Sequence, residues 1–99
     1  MTANRQQIIA ALAQRQSEIS TRFGVKRLAL FGSAARDELR ETSDVDVLVE
    51  FAGPVTFDGY FALKDYLETL LGRRVDVVTE RGIKPRARRH VERDLVRVA

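Results

Sequence analysis

The segment DVDVLVEF (44–51) constrains the fold of this chain more than any other stretch, because its residues alternate with a period of two. In an extended strand successive side chains point to opposite faces. Val45, Val47, Val49 and Phe51 therefore share one face, while Asp44, Asp46, Leu48 and Glu50 share the other. Such a strand needs an apolar layer on one side and leaves two carboxylates on the opposite side. The flanking sequence offers that layer, because helical periodicity alternates with short apolar runs along the whole chain.

Ile8, Ile9, Leu12, Ile19 and Phe23 recur at helical spacing, with Arg5, Gln7, Arg15 and Glu18 turned to water. The pattern predicts one amphipathic helix over 4–22, stopped by Gly24. KRLALF (26–31) is a largely continuous apolar run, as expected of a strand covered on both faces. Gly32-Ser33 breaks it, and Ala34 to Leu39 is expected as a short helix with Ser33 as its N-cap. Arg40 to Ser43 is polar connection, and Gly53-Pro54 ends the strand that follows. Phe57, Tyr60, Phe61, Leu63, Leu67, Leu70 and Leu71 mark a second amphipathic helix closed by Gly72, its apolar side chains expected in the core apart from a fringe facing a partner. Val75 to Thr79 is a third strand, and a turn at Gly82 and Pro85 leads into a basic helix around Arg86 to Arg93. Val96 to Val98 reads as a last edge strand or as a tail. This alternation describes an α/β (α+β) domain, and 99 residues leave room for one core only, so residues 1–99 are expected to form a single domain.

Composition narrows the chemistry. No apolar run approaches the roughly 20 residues a membrane span needs, and MTANRQQ lacks the apolar stretch of a signal peptide. No membrane association and residence in the cytoplasm are expected. The absence of cysteine rules out disulfides and thiolate metal sites, and one histidine makes zinc an unsuitable metal. His90, within RARRHVERD, reads as a surface residue. Neither G-x-x-x-x-G-K-[ST] nor G-x-G-x-x-G occurs. The net charge of +3 is uneven: residues 73–99 hold nine Arg or Lys against four acids, and residues 1–72 hold eight against ten. Arginines 81, 86, 88, 89 and 93 therefore suit, in descending order, a solvated surface, a protein-docking surface or a nucleic-acid contact.

Asp44 and Asp46 are out of place in a valine-rich strand, since aspartate has poor strand propensity. Two ionised carboxylates on one face repel, and they require either open solvent or a compensating cation. A solvated strand end satisfies the first condition. Mg²⁺, which takes oxygen ligands and shares them with phosphates, satisfies the second. Just upstream, Gly32 allows close backbone approach to a ligand, the start of a helix favours phosphate, Ser33 adds a hydroxyl donor and Arg36 adds a guanidinium. Alone, this segment reads first as an ordinary capped turn with a surface arginine. Asp76, in RRVDVVT, is a third acid within a strand. If the third strand neighbours the second, Asp76 joins the pair and can bind metal or orient and deprotonate an attacking hydroxyl.

LFGSAAR (30–36), the ten residues Ala34 to Ser43 and then DVD (44–46) resemble the G-S-x10-D-x-D signature of the DNA polymerase β-like nucleotidyltransferase superfamily. The short length, VDVLVEF and the later VDVVTE are similar to its minimal nucleotidyltransferase (MNT) branch, with the likeness clearest from Lys26 onward. The resemblance implies the nucleotidyltransferase fold, a small mixed sheet of three to four strands flanked by helices. It implies that Gly32 and Ser33 hold the triphosphate of ATP, with Arg36 steadying phosphate charge. Asp44 and Asp46 would bind two Mg²⁺ ions, with Asp76 as the third metal-binding and catalytic acid. Many MNT proteins are antitoxins paired with a HEPN-domain ribonuclease toxin, so the resemblance also implies transfer of AMP to a tyrosine of such a toxin. A non-catalytic antitoxin that neutralises its toxin by occlusion is the alternative, and an RNA- or operator-binding regulator is a more distant one. A small-molecule transferase would need a second domain to build its pocket.

Overall fold

The computed structural model describes residues 4–98. Four strands form one sheet in the order β3-β2-β1-β4, where β1 is Val25–Phe31, β2 Val45–Phe51, β3 Val75–Thr79 and β4 Val96–Arg97. β1 runs antiparallel to β2 and to β4, whereas β2 and β3 are parallel. The parallel pair follows from its connection: helix α4, Phe57–Leu71, carries the chain back along the sheet before β3 begins. The expected mixed sheet flanked by helices is therefore present, and the segment after Leu95 is an edge strand rather than a tail.

Helices α1 (Arg5–Gln14), α2 (Gln16–Phe23) and α4 cover one face of the sheet. Ile8, Leu12, Ile19, Leu63 and Leu67 from these helices meet Leu28, Leu30, Val45, Val47, Val49, Val75 and Val77, none more than 3% exposed. Each such side chain contributes about 1.5–3 kcal/mol through burial. This packing fixes the register of β2, because a slip of one residue would drive Asp46 into the core. The opposite face is covered only in part, by α5 (Pro85–Arg93), whose buried residue is Val91. Val91, Ala29, Leu48 and Leu95 line a cleft of about 250 Å³ there. Among the described residues no helix is long and apolar enough to cross a membrane.

Three local expectations are corrected. The helix predicted over 4–22 is two helices, broken at Arg15, whose φ of −106° and ψ of 9° leave the helical region. Residues 13–18 are exposed throughout, so no buried side chain holds the chain straight between Leu12 and Ile19. The helix predicted over 34–39 is the single turn α3, Gly32–Ala35, preceded by Phe31 and without a side-chain cap. Asp37, at φ 60°, ends it, and its carboxylate accepts the Arg5 backbone N–H at 2.8 Å, fastening the start of α1. Finally, Phe57 and Phe61 are 79% and 42% exposed and pack on each other, with ring centroids 4.8 Å apart. Contact with the sheet begins one turn later, at Tyr60, whose hydroxyl donates to the Val77 carbonyl at 2.5 Å.

Candidate active site

Because Val45, Val47 and Val49 are fully buried against the helices, the side chain of Asp46 must emerge on the other face of β2. Parallel pairing sets Val45 opposite Val75, Asp46 opposite Asp76 and Val47 opposite Val77. Asp46 and Asp76 thus stand side by side on one face, a strand spacing of about 4.8 Å apart along the backbone. Asp44, at the entry to β2, acts on Asp46 through its charge. The condition on which the third acid depended, adjacency of the second and third strands, is met.

On its other side Asp46 pairs with Phe31, the last residue of β1. The next residue, Gly32, turns the chain at φ 67°. A Cβ at Gly32 would overlap Asp46 Oδ2 and lie 3.3 Å from its Cγ. The Gly32 turn and the Asp46 carboxylate are therefore in contact. Ser33 lies inside the single turn α3 rather than at its cap, and its hydroxyl is not spent on capping.

The electrostatics match this crowding. Asp46 is pushed up from the ordinary 3.8 to about 6, first by burial, then by the charges of Asp76 and Asp44; the Arg36 charge opposes the shift. Arg36 is engaged elsewhere: its guanidinium donates to Asp94 at 2.7 Å and to Glu38 at 3.2 Å, and these bonds raise its own pKa. It stands near the acids but is held by two other carboxylates.

The loop before Asp44 is also built tightly. Arg40 N–H donates to Ser43 Oγ at 3.1 Å, and Ser43 N–H donates to the Arg40 carbonyl at 3.0 Å. The Arg73 guanidinium donates to the carbonyls of both Arg40 and Ser43, the latter at 2.9 Å. Val45 N–H continues the attachment by donating to the Arg74 carbonyl at 3.0 Å. Sequence reasoning singled out neither Arg73 nor Asp94. Arg73 sits in an Arg-Arg pair whose members look equivalent in sequence, and Asp94 follows a helix whose arginines dominate its charge.

Among the described residues no three His, Asp or Glu side chains already stand as a group able to hold a metal ion. The donor set nonetheless fits a hard divalent cation. It is all carboxylate oxygen, it borders solvent at Asp44 and Asp76, and its mutual repulsion is what a cation would relieve.

Comparison with known proteins gives the family and the fold. Residues 12–98 match the family model described as nucleotidyltransferase domain. The chain is 39% identical over 93 residues to the protein adenylyltransferase MntA of Thermococcus cleftensis, covering 94% of each. A solved structure described as a candidate minimal nucleotidyltransferase superposes with a TM-score of 0.80 at 40% identity, over 95% of each chain. A tri-AMPylated Shewanella oneidensis HEPN toxin in complex with MNT antitoxin matches with a TM-score of 0.67 at 17% identity, covering 92% of this chain and 71% of that one. At the last identity the likeness is one of fold.

Proposed function

The chain belongs to the nucleotidyltransferase domain family, and from that premise we propose that it is an Mg²⁺-dependent protein adenylyltransferase, an antitoxin that transfers AMP from ATP to a tyrosine hydroxyl of a HEPN-domain ribonuclease toxin. The observation that carries this reading is the convergence on Asp46: Asp76 flanks it in register, and the Gly32 turn abuts its carboxylate. The adenylyltransferase named among its relatives supports the choice of AMP, and the fold shared with MNT antitoxins bound to HEPN toxins supports the partner.

In this reading Gly32, lacking a side chain, leaves the space in which phosphates lie beside Asp46. Ser33 Oγ donates to a phosphate oxygen, and Arg36 adds positive potential. Asp44, Asp46 and Asp76 would hold two Mg²⁺ ions, which when bound neutralise charge on the entering and leaving oxygens. Asp76, exposed at the rim, orients the acceptor and takes its proton. The hydroxyl oxygen bonds to the α-phosphorus, and the bond from that phosphorus to pyrophosphate breaks. A fold this small supplies little recognition surface of its own, so a folded protein acceptor that brings its own contacts suits it.

The test is to incubate the protein with ATP, Mg²⁺ and a cognate HEPN toxin and weigh the toxin by mass spectrometry. One added AMP per event, located on tyrosine by fragmentation and lost with a chelator or with Asp44→Asn or Asp46→Asn, is the expected result. Neutralisation that survives both substitutions would establish occlusion instead.

A further inference from the structure

We propose that Arg73 is a positioning residue for the carboxylate site, a staple that holds the Asp44 loop against the start of β3 so that the acids of both strands face one another. The inference rests on the reading of Asp44, Asp46 and Asp76 as cation ligands. It comes from geometry alone. Arg73 lies three residues before Asp76, and its guanidinium spans two carbonyls of the loop that ends at Asp44.

Charge alone gives the two strand entries reason to separate, since the charges of Asp76 and Asp44 both act against that of Asp46. Backbone pairing opposes this only from Val45 inward, through its bond to the Arg74 carbonyl and the Val45–Val75 register. Asp44 lies outside that ladder. Its position is set by the tight Arg40–Ser43 turn, and Arg73 is the side chain that ties this turn to β3. Both bonds leave one terminal nitrogen of the guanidinium, whose two N–H groups reach the Arg40 and Ser43 carbonyls together. A lysine at the same place keeps the charge and the donors on a shorter side chain, so it retains the staple in part.

Arg74 supplies the control. It carries the same charge, is exposed, and contributes only its backbone carbonyl to this region. The two arginines therefore separate position from electrostatics by sign. Removing a positive charge beside acids strengthens cation binding if electrostatics alone operate. Removing a staple weakens it.

The experiment is calorimetric titration of the nucleotide-free protein with Mn²⁺, alongside hydrogen exchange of the amides of residues 41–46. Arg73→Ala is expected to weaken Mn²⁺ binding about tenfold, the scale of losing a charge-assisted hydrogen bond. Exchange at 41–44 should accelerate while that of the buried β2 amides stays slow. Arg73→Lys should recover part of the affinity, and Arg74→Ala should leave it unchanged or tighten it. An Arg73→Ala protein that binds Mn²⁺ as well as or better than wild type, with unchanged exchange, overturns the positioning role and leaves the cation site standing. Failure of the wild type itself to bind Mn²⁺ overturns the site, and the positioning role with it. Should Arg73→Ala fail to fold, Arg73→Gln, which keeps a shorter polar side chain without the charge, carries the test: undiminished affinity and unchanged exchange there overturn the positioning role.

Discussion

Gly32 and Asp46 are in contact across the end of the β1–β2 pair, so closely that a Cβ on the glycine would overlap the aspartate Oδ2. Gly32 also holds φ at 67°, in the left-handed region. An alanine there meets two penalties at once: the conformation costs about 1–2 kcal/mol, and the overlap must push either the turn or the carboxylate aside. Gly32→Ala is expected to lose about 2 kcal/mol or more of stability and to lose transfer almost completely, because the displaced group is at the reacting centre. Chemical denaturation and the toxin-modification assay measure the two effects. An active Gly32→Ala enzyme of normal stability would mean that the turn and Asp46 do not share a site.

Asp46→Asn should abolish transfer yet make the metal-free protein more stable at neutral pH. The folded state raises the Asp46 pKa from 3.8 to about 6, so it disfavours the charged form. The sign follows from linkage: a carboxyl with a raised folded pKa costs nothing below its unfolded value, and the cost grows as pH climbs to the folded value. Wild type and Asp46→Asn should therefore melt alike near pH 4 and diverge until about pH 6, with the difference constant above. After allowance for solvent at this half-covered site the plateau is about 1–2 kcal/mol. Added Mg²⁺ should stabilise the wild type and not the variant, since it binds only the charged folded site. Urea melts across pH check this, and a variant less stable than wild type at pH 7 without metal would show that Asp46 is not under repulsion.

The carboxylate cluster was legible in the sequence because it violates a local rule. Asp44, Asp46 and Asp76 interrupt valine-rich strands, and period-two geometry set the first two on one face before any coordinates. Period two alone does not say whether the strands of Asp46 and Asp76 are neighbours, and the parallel β2–β3 register shows that they are. What the sequence could not carry was context. Arg36 reads as a free cation but is held by Asp94, 58 residues away. Arg73 and Arg74 are adjacent and chemically identical, and only the fold points one of them at the Arg40–Ser43 turn. Phe57 satisfies helical periodicity yet lies exposed a turn before contact with the sheet begins, and pattern alone does not say which of these side chains form the core and which the fringe.

Tyr60→Phe isolates a contact that supports the site without belonging to it. The Tyr60 hydroxyl bonds the Val77 carbonyl, on the edge strand that carries Asp76 one residue earlier. Losing the hydroxyl leaves that partly buried carbonyl short of a partner, at a cost of about 1–2 kcal/mol. The ring and its packing remain, so transfer should fall no more than about twofold. Thermal melting and steady-state transfer separate the two. An effect on transfer of a hundredfold would make Tyr60 part of the reaction itself.

Arg36 and Asp94 give a prediction in which two substitutions move one constant in opposite directions. The guanidinium is bound by Asp94 and Glu38, although its charge is still felt at Asp46. To bind a phosphate it must trade one of these carboxylates for the ligand, and Asp94, with the shorter bond, is the stronger competitor. Arg36→Ala removes the phosphate contact and should raise the KM for ATP about tenfold, the scale of a lost charge-assisted hydrogen bond. Asp94→Asn loosens the competitor while keeping its shape, and should leave that KM unchanged or lower it. Raising the salt should shrink both effects, since the Arg36 guanidinium is open to solvent, although Asp94 is mostly covered. If Arg36→Ala leaves the KM for ATP untouched while lowering the melting temperature as Asp94→Asn does, the pair is a structural tie between the α3 turn and the end of α5, and phosphate charge is met by other residues.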